Sequence, residues 1–453
     1  MSFDSIFYLS CFLPLVLGLY WIVPSLKGKN LILLILGLLF YAFGSLTGIF
    51  LLFLSAGINY LCALLIHKTK HKAFLITGVA ANILFLFVYK YLDSILSAVL
   101  PLPQFSLELT APIGISFFTF KAISYLYDTQ KNQKSHPGTF PDFLLYLSFF
   151  PQILAGPIAR YGNFSSQLTC RNPSIQTIAR GARRFITGLA KKVLMCAAFG
   201  TVVDQIFAAD PAILDARLGW MSAAFYMLQI FFDFSGYSDM SIGMSNMLGF
   251  QTPENFNYPY IAASIGDFWR RWHISLSTWF RDYLYIPLGG NRKGTSKTAL
   301  NKIIVFALCG LWHGCGIPFL LWGLWHGLFS ALESTRIIQP KKMHPLLAHG
   351  YTLLVVCIGF VMFRANDVMQ GVNVLSAMFT GFHFTTAGTV LVHQLWSLKT
   401  VFFLVLGCLL STPVAKKINC PEALTYAGAT MLYILCLAAL ASGGFTPFIY
   451  FQF

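Results

Sequence analysis

The stretch IIVFALCGLWHGCGIPFLLWGLWHGLFSALES, residues 303–334, decides how the chain is read. It stays apolar almost throughout, with Lys302 before it and Arg336, Lys341 and Lys342 after it. Short cytoplasmic loops of membrane proteins are rich in Lys and Arg, so both ends belong on one side of a bilayer. As helix it would reach ~45 Å, too little for two full crossings of ~30 Å of hydrocarbon. Gly314, Gly316 and Pro318 interrupt its middle. The spacing therefore predicts a hairpin or a broken helix. His313 would then sit ~16 Å deep, about halfway across the core.

The rest of the chain agrees with a membrane setting. Of 453 residues 57% are hydrophobic and 10% charged, against about 25% charged in a soluble domain. Apolar runs predict about ten crossings, at 6–24, 31–46, 49–66, 73–90, 111–127, 193–208, 218–233, 346–362, 396–412 and 424–441. The first run lacks a basic start and a small-residue cleavage site, which predicts a retained helix rather than a signal peptide. Loops with Lys27 and Lys29, with Lys68, Lys70 and Lys72, and with Lys131 and Lys134 are expected inside, and both termini outside. The expected exterior loops, 91–110, 209–217 and 363–395, hold only Arg217 and Arg364 as basic residues. The net charge of +15 thus follows from topology and needs no nucleic acid. The ten cysteines include no CxxC, so no disulfide framework is expected. The reading is of one integral-membrane domain, 1–453.

A second interrupted segment is FPQILAGPIARY, 150–161. Arg160 near its end and Arg171, Arg180, Arg183, Arg184, Lys191 and Lys192 after it are all expected on the cytoplasmic side. Pro151, Gly156 and Pro157 break any helix there. The segment is expected to dip in and return, which is tolerable where protein or a wet cavity surrounds the freed backbone groups.

Ionisable residues concentrate in FWRRWHISLSTWFRDYLYIPLGGNRKG, 268–294. An Arg, Lys or Asp at bilayer depth costs roughly 2.5–3.5 kcal/mol, so each is a functional hypothesis. Histidine is milder, and burial favours its neutral, base-competent form. From spacing alone His313 is either such a base or a ring bonded to a neighbouring helix. His326 is expected as an interfacial partner of Trp325, and Trp269, Trp272 and Trp279 as interfacial anchors. DFSGYSD, 233–239, reads as a helix end whose carboxylates, Asp233 and Asp239, are partnered by Arg270 or Arg271, or as a polar wall of a site. Lys121, within a span, is expected to snorkel or pair.

Five blocks then carry a resemblance. APIGISFFTFKAISYLYD (111–128), FPQILAGPIARY, FFDFSGYSDMSIGMSNMLGF (231–250), the 268–294 stretch and GLWHG (310–314) occur in this order. Together they resemble the membrane-bound O-acyltransferase family, most closely its bacterial alginate O-acetyltransferase-type branch, over roughly 110–330. The resemblance implies an all-α ring of about ten transmembrane helices plus re-entrant segments around a central funnel, with a thin floor reached by a cytosolic acyl donor. His313 matches the family's catalytic histidine and His273 the second polar position of the pair. Family members often follow LWHG with a small residue and an aromatic; here Cys315, Gly316 and Ile317 follow, which bears on pocket shape.

Acyl transfer from a thioester to a hydroxyl needs a base, and His313 is expected to be it. His273 is expected to donate a ring N–H to the oxyanion or to orient the acceptor. Arg270, Arg271, Arg281, Asp282, Asn291 and Arg292, with Lys293, are expected to meet the donor, and Asp233, Asp239 and Trp312 to line the substrate space. The expected donor is acetyl-CoA or an acyl carrier thioester acting as co-substrate, with no bound cofactor and no metal. The expected acceptor is an exported polysaccharide or envelope glycan, served by a periplasmic or membrane-anchored acetyltransferase partner at the bacterial cytoplasmic (inner) membrane. Membrane lipids are the other expected partners, and nucleic acid is not one. Rival readings are D-alanyl transfer to a teichoic acid from a carrier-protein thioester, and a transporter using Asp233, Asp239 and His313 as a relay. A metal site of His313, His326, Cys309 and Cys315 fits no familiar ligand spacing.

Overall fold

The computed structural model describes residues 2–93, 95–96, 111–132, 137–417 and 420–443, and every regular element among them is helical. Each expected crossing falls on a helix. Among the described residues five helices are long and apolar enough to span a bilayer: Leu46–Thr69, Lys72–Leu92, Ile175–Phe207, Pro345–Arg364 and Glu422–Ala441. A sixth forms if Thr386–Leu395 and Leu398–Leu410, bent by 68° at their junction, act as one span. The remaining expected crossings are shorter or more polar, as at Leu26–Ala42 and Ala216–Met247. Most of the expected exterior loop 91–110, and Lys134, lie outside the described residues.

The chain divides into two compact units, Met1–Ile186 with Tyr237–Glu254, and Thr187–Gly236 with Asn255–Phe453. In the first, the interrupted segment behaves as its prolines and glycine dictate. A single helical turn, Phe150–Ile153, gives way to a buried non-helical stretch over 154–159. A Cβ on Gly156 would come within 2.4 Å of Ser241 Oγ, so the backbone lies tight against its neighbour. Freed backbone groups are thus wrapped in protein, as they must be away from water. Phe149, just before the turn, packs with Phe164 and Phe250, centroids 4.8–5.2 Å apart.

Several cations expected in loops are instead built into the interior. Arg171 is buried and donates to Tyr20 Oη (2.9 Å), Asn30 Oδ1 (2.6 Å) and the Gln167 carbonyl (2.9 Å). Arg184 donates to Asp239 (2.9 Å) and grips Glu254. Lys121, expected within a span to snorkel or pair, pairs: its Nζ donates to the Tyr146 carbonyl at 3.0 Å, over that tyrosine's ring. In the second unit Lys192 lies within the Ile175–Phe207 run and meets Asp233 at 2.5 Å, both side chains 1% exposed. The positive-inside rule counts charges and cannot see that some of them have partners.

The opening stretch folds as a helical hairpin. Its arms are Thr295–His313 and Ile317–Ser334, with Pro318 starting the second, where a missing N–H is harmless. The arms approach through glycine: a Cβ on Gly310 would lie 2.3 Å from the Phe319 carbonyl, and one on Gly323 2.3 Å from that of Phe306. Small residues let helix backbones meet this closely in lipid. Lys302 adds a cross-link, its Nζ donating to the Ser330 carbonyl at 3.0 Å.

Candidate functional site

His273 is placed by a kink. The short helices Ile265–Arg271 and Ile274–Phe280 meet at Trp272 and His273. The first is capped by Ser264, which accepts from Asp267 N–H at 3.0 Å, and by Glu333 of the hairpin, which accepts from Ile265 and Gly266 N–H at 2.7 and 3.0 Å. A carboxylate suits that helix end, where the backbone dipoles are positive. His273 itself takes a left-handed conformation, φ 42°, ψ 55°, which few non-glycine residues adopt and which turns the chain sharply.

Asn255 holds the kink from the preceding loop. Its carbonyl accepts from Ile274 N–H (2.9 Å), and its side-chain Oδ1 accepts from Ser275 N–H (3.1 Å) and Ser275 Oγ (2.9 Å). The same Oδ1 lies 3.1 Å from His273 Nδ1. Phe234 stands edge-on to the imidazole, centroids 4.5 Å apart. The ring is 1% exposed, burial lowers its pKa, and its Nε2 is buried with no hydrogen-bond partner among the described residues.

His313 is the last residue of the first hairpin arm, and extended backbone at Gly314 ends the helix there. Its ring lies among Trp312, Trp322 and Phe363, with centroids 4.8, 5.1 and 5.1 Å away. It is 4% exposed, and Trp312 is buried beside it.

His326 is no interfacial residue. It is fully buried in mid-helix, with Trp269, Trp322, Phe306 and Phe268 around it at 5.1–6.5 Å, and neither ring nitrogen has a partner among the described residues. The expected tryptophan anchors are also corrected. Trp272 and Trp279 are buried, and Trp269 packs on Phe306 and Trp322, because an aromatic core forms inside the second unit.

The polar residues sort into separate groups. Arg270 and Arg271 both grip Asp267, at 3.3 and 2.8 Å, and Arg281 meets Asp282 at 2.8 Å. Asn291 bonds Tyr285 in a turn where Gly289 and Gly290 take φ 110° and 54°, conformations that need glycine. Asn301 pins that turn to the first arm through the Gly290 carbonyl at 3.1 Å, leaving Arg292 and Lys293 exposed. DFSGYSD lies inside the helix Ala216–Met247 rather than at its end. Its carboxylates take Lys192 and Arg184, where Arg270 or Arg271 was expected. Asp233 belongs to the second unit and Asp239 to the first. Sequence reasoning missed Asn255, Lys192 and Glu333, whose partners are 18 to 68 residues away in the chain.

The sequence profile of the membrane-bound O-acyltransferase family matches residues 38–366, which include both candidate histidines and the whole hairpin. The chain belongs to this family. Among its relatives is the probable alginate O-acetylase AlgI of Azotobacter vinelandii, 35% identical over the full length of both chains. That of Pseudomonas aeruginosa is 38% identical over 84% of this chain and 75% of its own. A peptidoglycan O-acetyltransferase of Helicobacter pylori is 36% identical over 83% of this chain and 80% of its own. Family membership and the apolar spanning helices together make the chain a multi-pass membrane O-acyltransferase, and the transporter reading gives way.

Proposed function

We propose that the protein moves an acetyl group from a cytosolic thioester, acetyl-CoA or an acyl carrier, to a hydroxyl of an exported polysaccharide or envelope glycan at the bacterial inner membrane. One observation carries the reading: a buried imidazole, His313, stands where a helix ends, in a relative of enzymes named for acetylating alginate and peptidoglycan. His313 takes the hydroxyl proton as the oxygen attacks the thioester carbonyl. The C–S bond breaks as the new C–O bond forms, and the thiolate leaves and is protonated. A positioned histidine base contributes roughly 10²- to 10⁴-fold to such a step.

His273 supports the transfer from its kink beside Phe234. Arg270, Arg271, Arg281, Arg292 and Lys293, with Asp282 and Asn291, form the surface that meets a phosphate-bearing donor, the arginines through bidentate contacts. Asp233 is committed to Lys192 and holds the fold. Trp312, buried beside His313, lines the substrate space, and Asp239 is committed to Arg184. If the acetyl group is relayed, a hydroxyl of a periplasmic or membrane-anchored acetyltransferase partner stands in for the glycan. Acetylation of glycan by the purified protein alone separates direct transfer from relay.

Mass analysis of envelope glycans tests the reading. Cells lacking the protein, and cells carrying only His313→Ala, are expected to lose acetyl esters while the variant still inserts in the membrane. Lost alanyl esters in place of acetyl esters would assign D-alanyl transfer. Undiminished acetylation by the inserted His313→Ala protein would remove His313 as the base.

A further inference from the structure

Resting on the proposed acyl transfer to a hydroxyl, we propose that Asn255 is a positioning residue that fixes His273 in its Nδ1–H form. His273 Nε2 thereby offers a bare lone pair to a hydroxyl of the acceptor, other than the hydroxyl that reacts.

Hydrogen-bond chemistry supports this step by step. A backbone N–H can only donate, so the Asn255 atom facing Ser275 N–H at 3.1 Å is the carbonyl oxygen and not the amide nitrogen. Side-chain oxygen and nitrogen cannot be exchanged here without setting two donors against each other. The same oxygen faces His273 Nδ1 at 3.1 Å, and an oxygen that only accepts requires a proton on that nitrogen. A neutral imidazole carries one N–H, so Nε2 has none. The ring is neutral because it is buried, and the groups it meets among the described residues, Asn255 and Phe234, are uncharged. Asp233, next to Phe234 on the long helix, is tied to Lys192 at 2.5 Å. Arg271, two residues before His273, is tied to Asp267 at 2.8 Å.

Nε2 is thus a buried acceptor with no partner among the described residues. Leaving such an atom unmatched is unfavourable, and a substrate O–H would match it. Of the two roles expected for His273, this selects the second. A lone pair cannot stabilise an oxyanion; it orients the acceptor while His313 removes the reacting proton.

Two measurements test the proposal. The first is ¹⁵N NMR of the full-length, histidine-labelled protein, with the His273 signals assigned by their loss in His273→Gln. Nε2 is expected to resonate as an unprotonated nitrogen, and a protonated Nε2 in the neutral ring would overturn the proposal. This readout needs no turnover, so it stands even if the acyl-transfer reading fails. The second is the pH–rate profile of Asn255→Asp. The carboxylate still accepts from Ser275 and His273, but it raises the imidazole's pKa, so Nε2 gains a proton at higher pH. The acid limb of the profile is expected to move up by roughly 1–3 pH units, with KM for the glycan rising below it and KM for the donor unchanged. If His273 acted as an N–H donor, Asn255→Asp would keep or gain activity in acid, and the proposal would fail.

Discussion

The pentapeptide GLWHG occurs twice in the hairpin, at 310–314 and at 323–327. The leading glycines do the same work in both copies: Gly310 and Gly323 face each other, each with room for no more than a hydrogen against the opposite arm. The histidines part company. His313 ends its helix, so the chain opens beside it at Gly314 and Gly316. His326 lies within a continuous helix, closed in by four aromatic rings. Trp322 touches both imidazoles, at 5.1 and 5.3 Å. Identical residues thus acquire different surroundings from one variable, the distance to a helix end. A motif is read correctly only with the element that carries it.

Substitutions in and beside the two copies separate packing from chemistry. Trp322→Ala removes the ring that both histidines share and is expected to destabilise the protein by about 3–5 kcal/mol, seen as a lower midpoint in thermal unfolding in detergent. Activity should fall with it, since His313 loses a wall. A smaller loss, about 1–3 kcal/mol, is expected for Gly310→Ala and for Gly323→Ala. Their Cβ atoms would meet backbone carbonyls at the same 2.3 Å, so the two variants should unfold at similar midpoints. A large difference between them would mean that the two copies do not face each other as described. The smallest effect is expected for His326→Phe. The unmatched ring nitrogens are worth about 1–3 kcal/mol when removed, while the tight fit against Gly359, where a Cβ would lie 2.6 Å from Nε2, works the other way. Stability and acyl transfer should both stay near those of the parent protein.

Much of this architecture is legible in the sequence because it rests on local signals. Gly314, Gly316 and Pro318 announce the hairpin turn, and Pro151 and Gly156 the broken segment. Apolar runs mark the helices, although DFSGYSD conceals that the helix after Ala216 continues to Met247. Its small and polar residues read as a terminus, yet its two carboxylates find partners in Lys192 and Arg184 of another helical run. What stays hidden is pairing across long separations. Lys192 and Asp233 are 41 residues apart, and nothing in either neighbourhood predicts the other. Trp272 and Trp279 read as interface residues because tryptophan favours bilayer boundaries, but here they fill a core. Asn255 is the instructive miss, because it is an unremarked loop residue whose value lies in the oxygen it turns toward His273.

We expect His313, and not its twin at His326, to drive O-acyl transfer. This is tested most directly by a single-turnover assay of the purified protein in lipid vesicles with labelled acetyl-CoA and a polysaccharide acceptor. The parent protein and His326→Phe are expected to form acetyl ester at similar rates, and His313→Ala to be slower by roughly 10²- to 10⁴-fold. Transfer by His313→Ala at the parent rate, or its loss in a folded His326→Phe, would contradict the account.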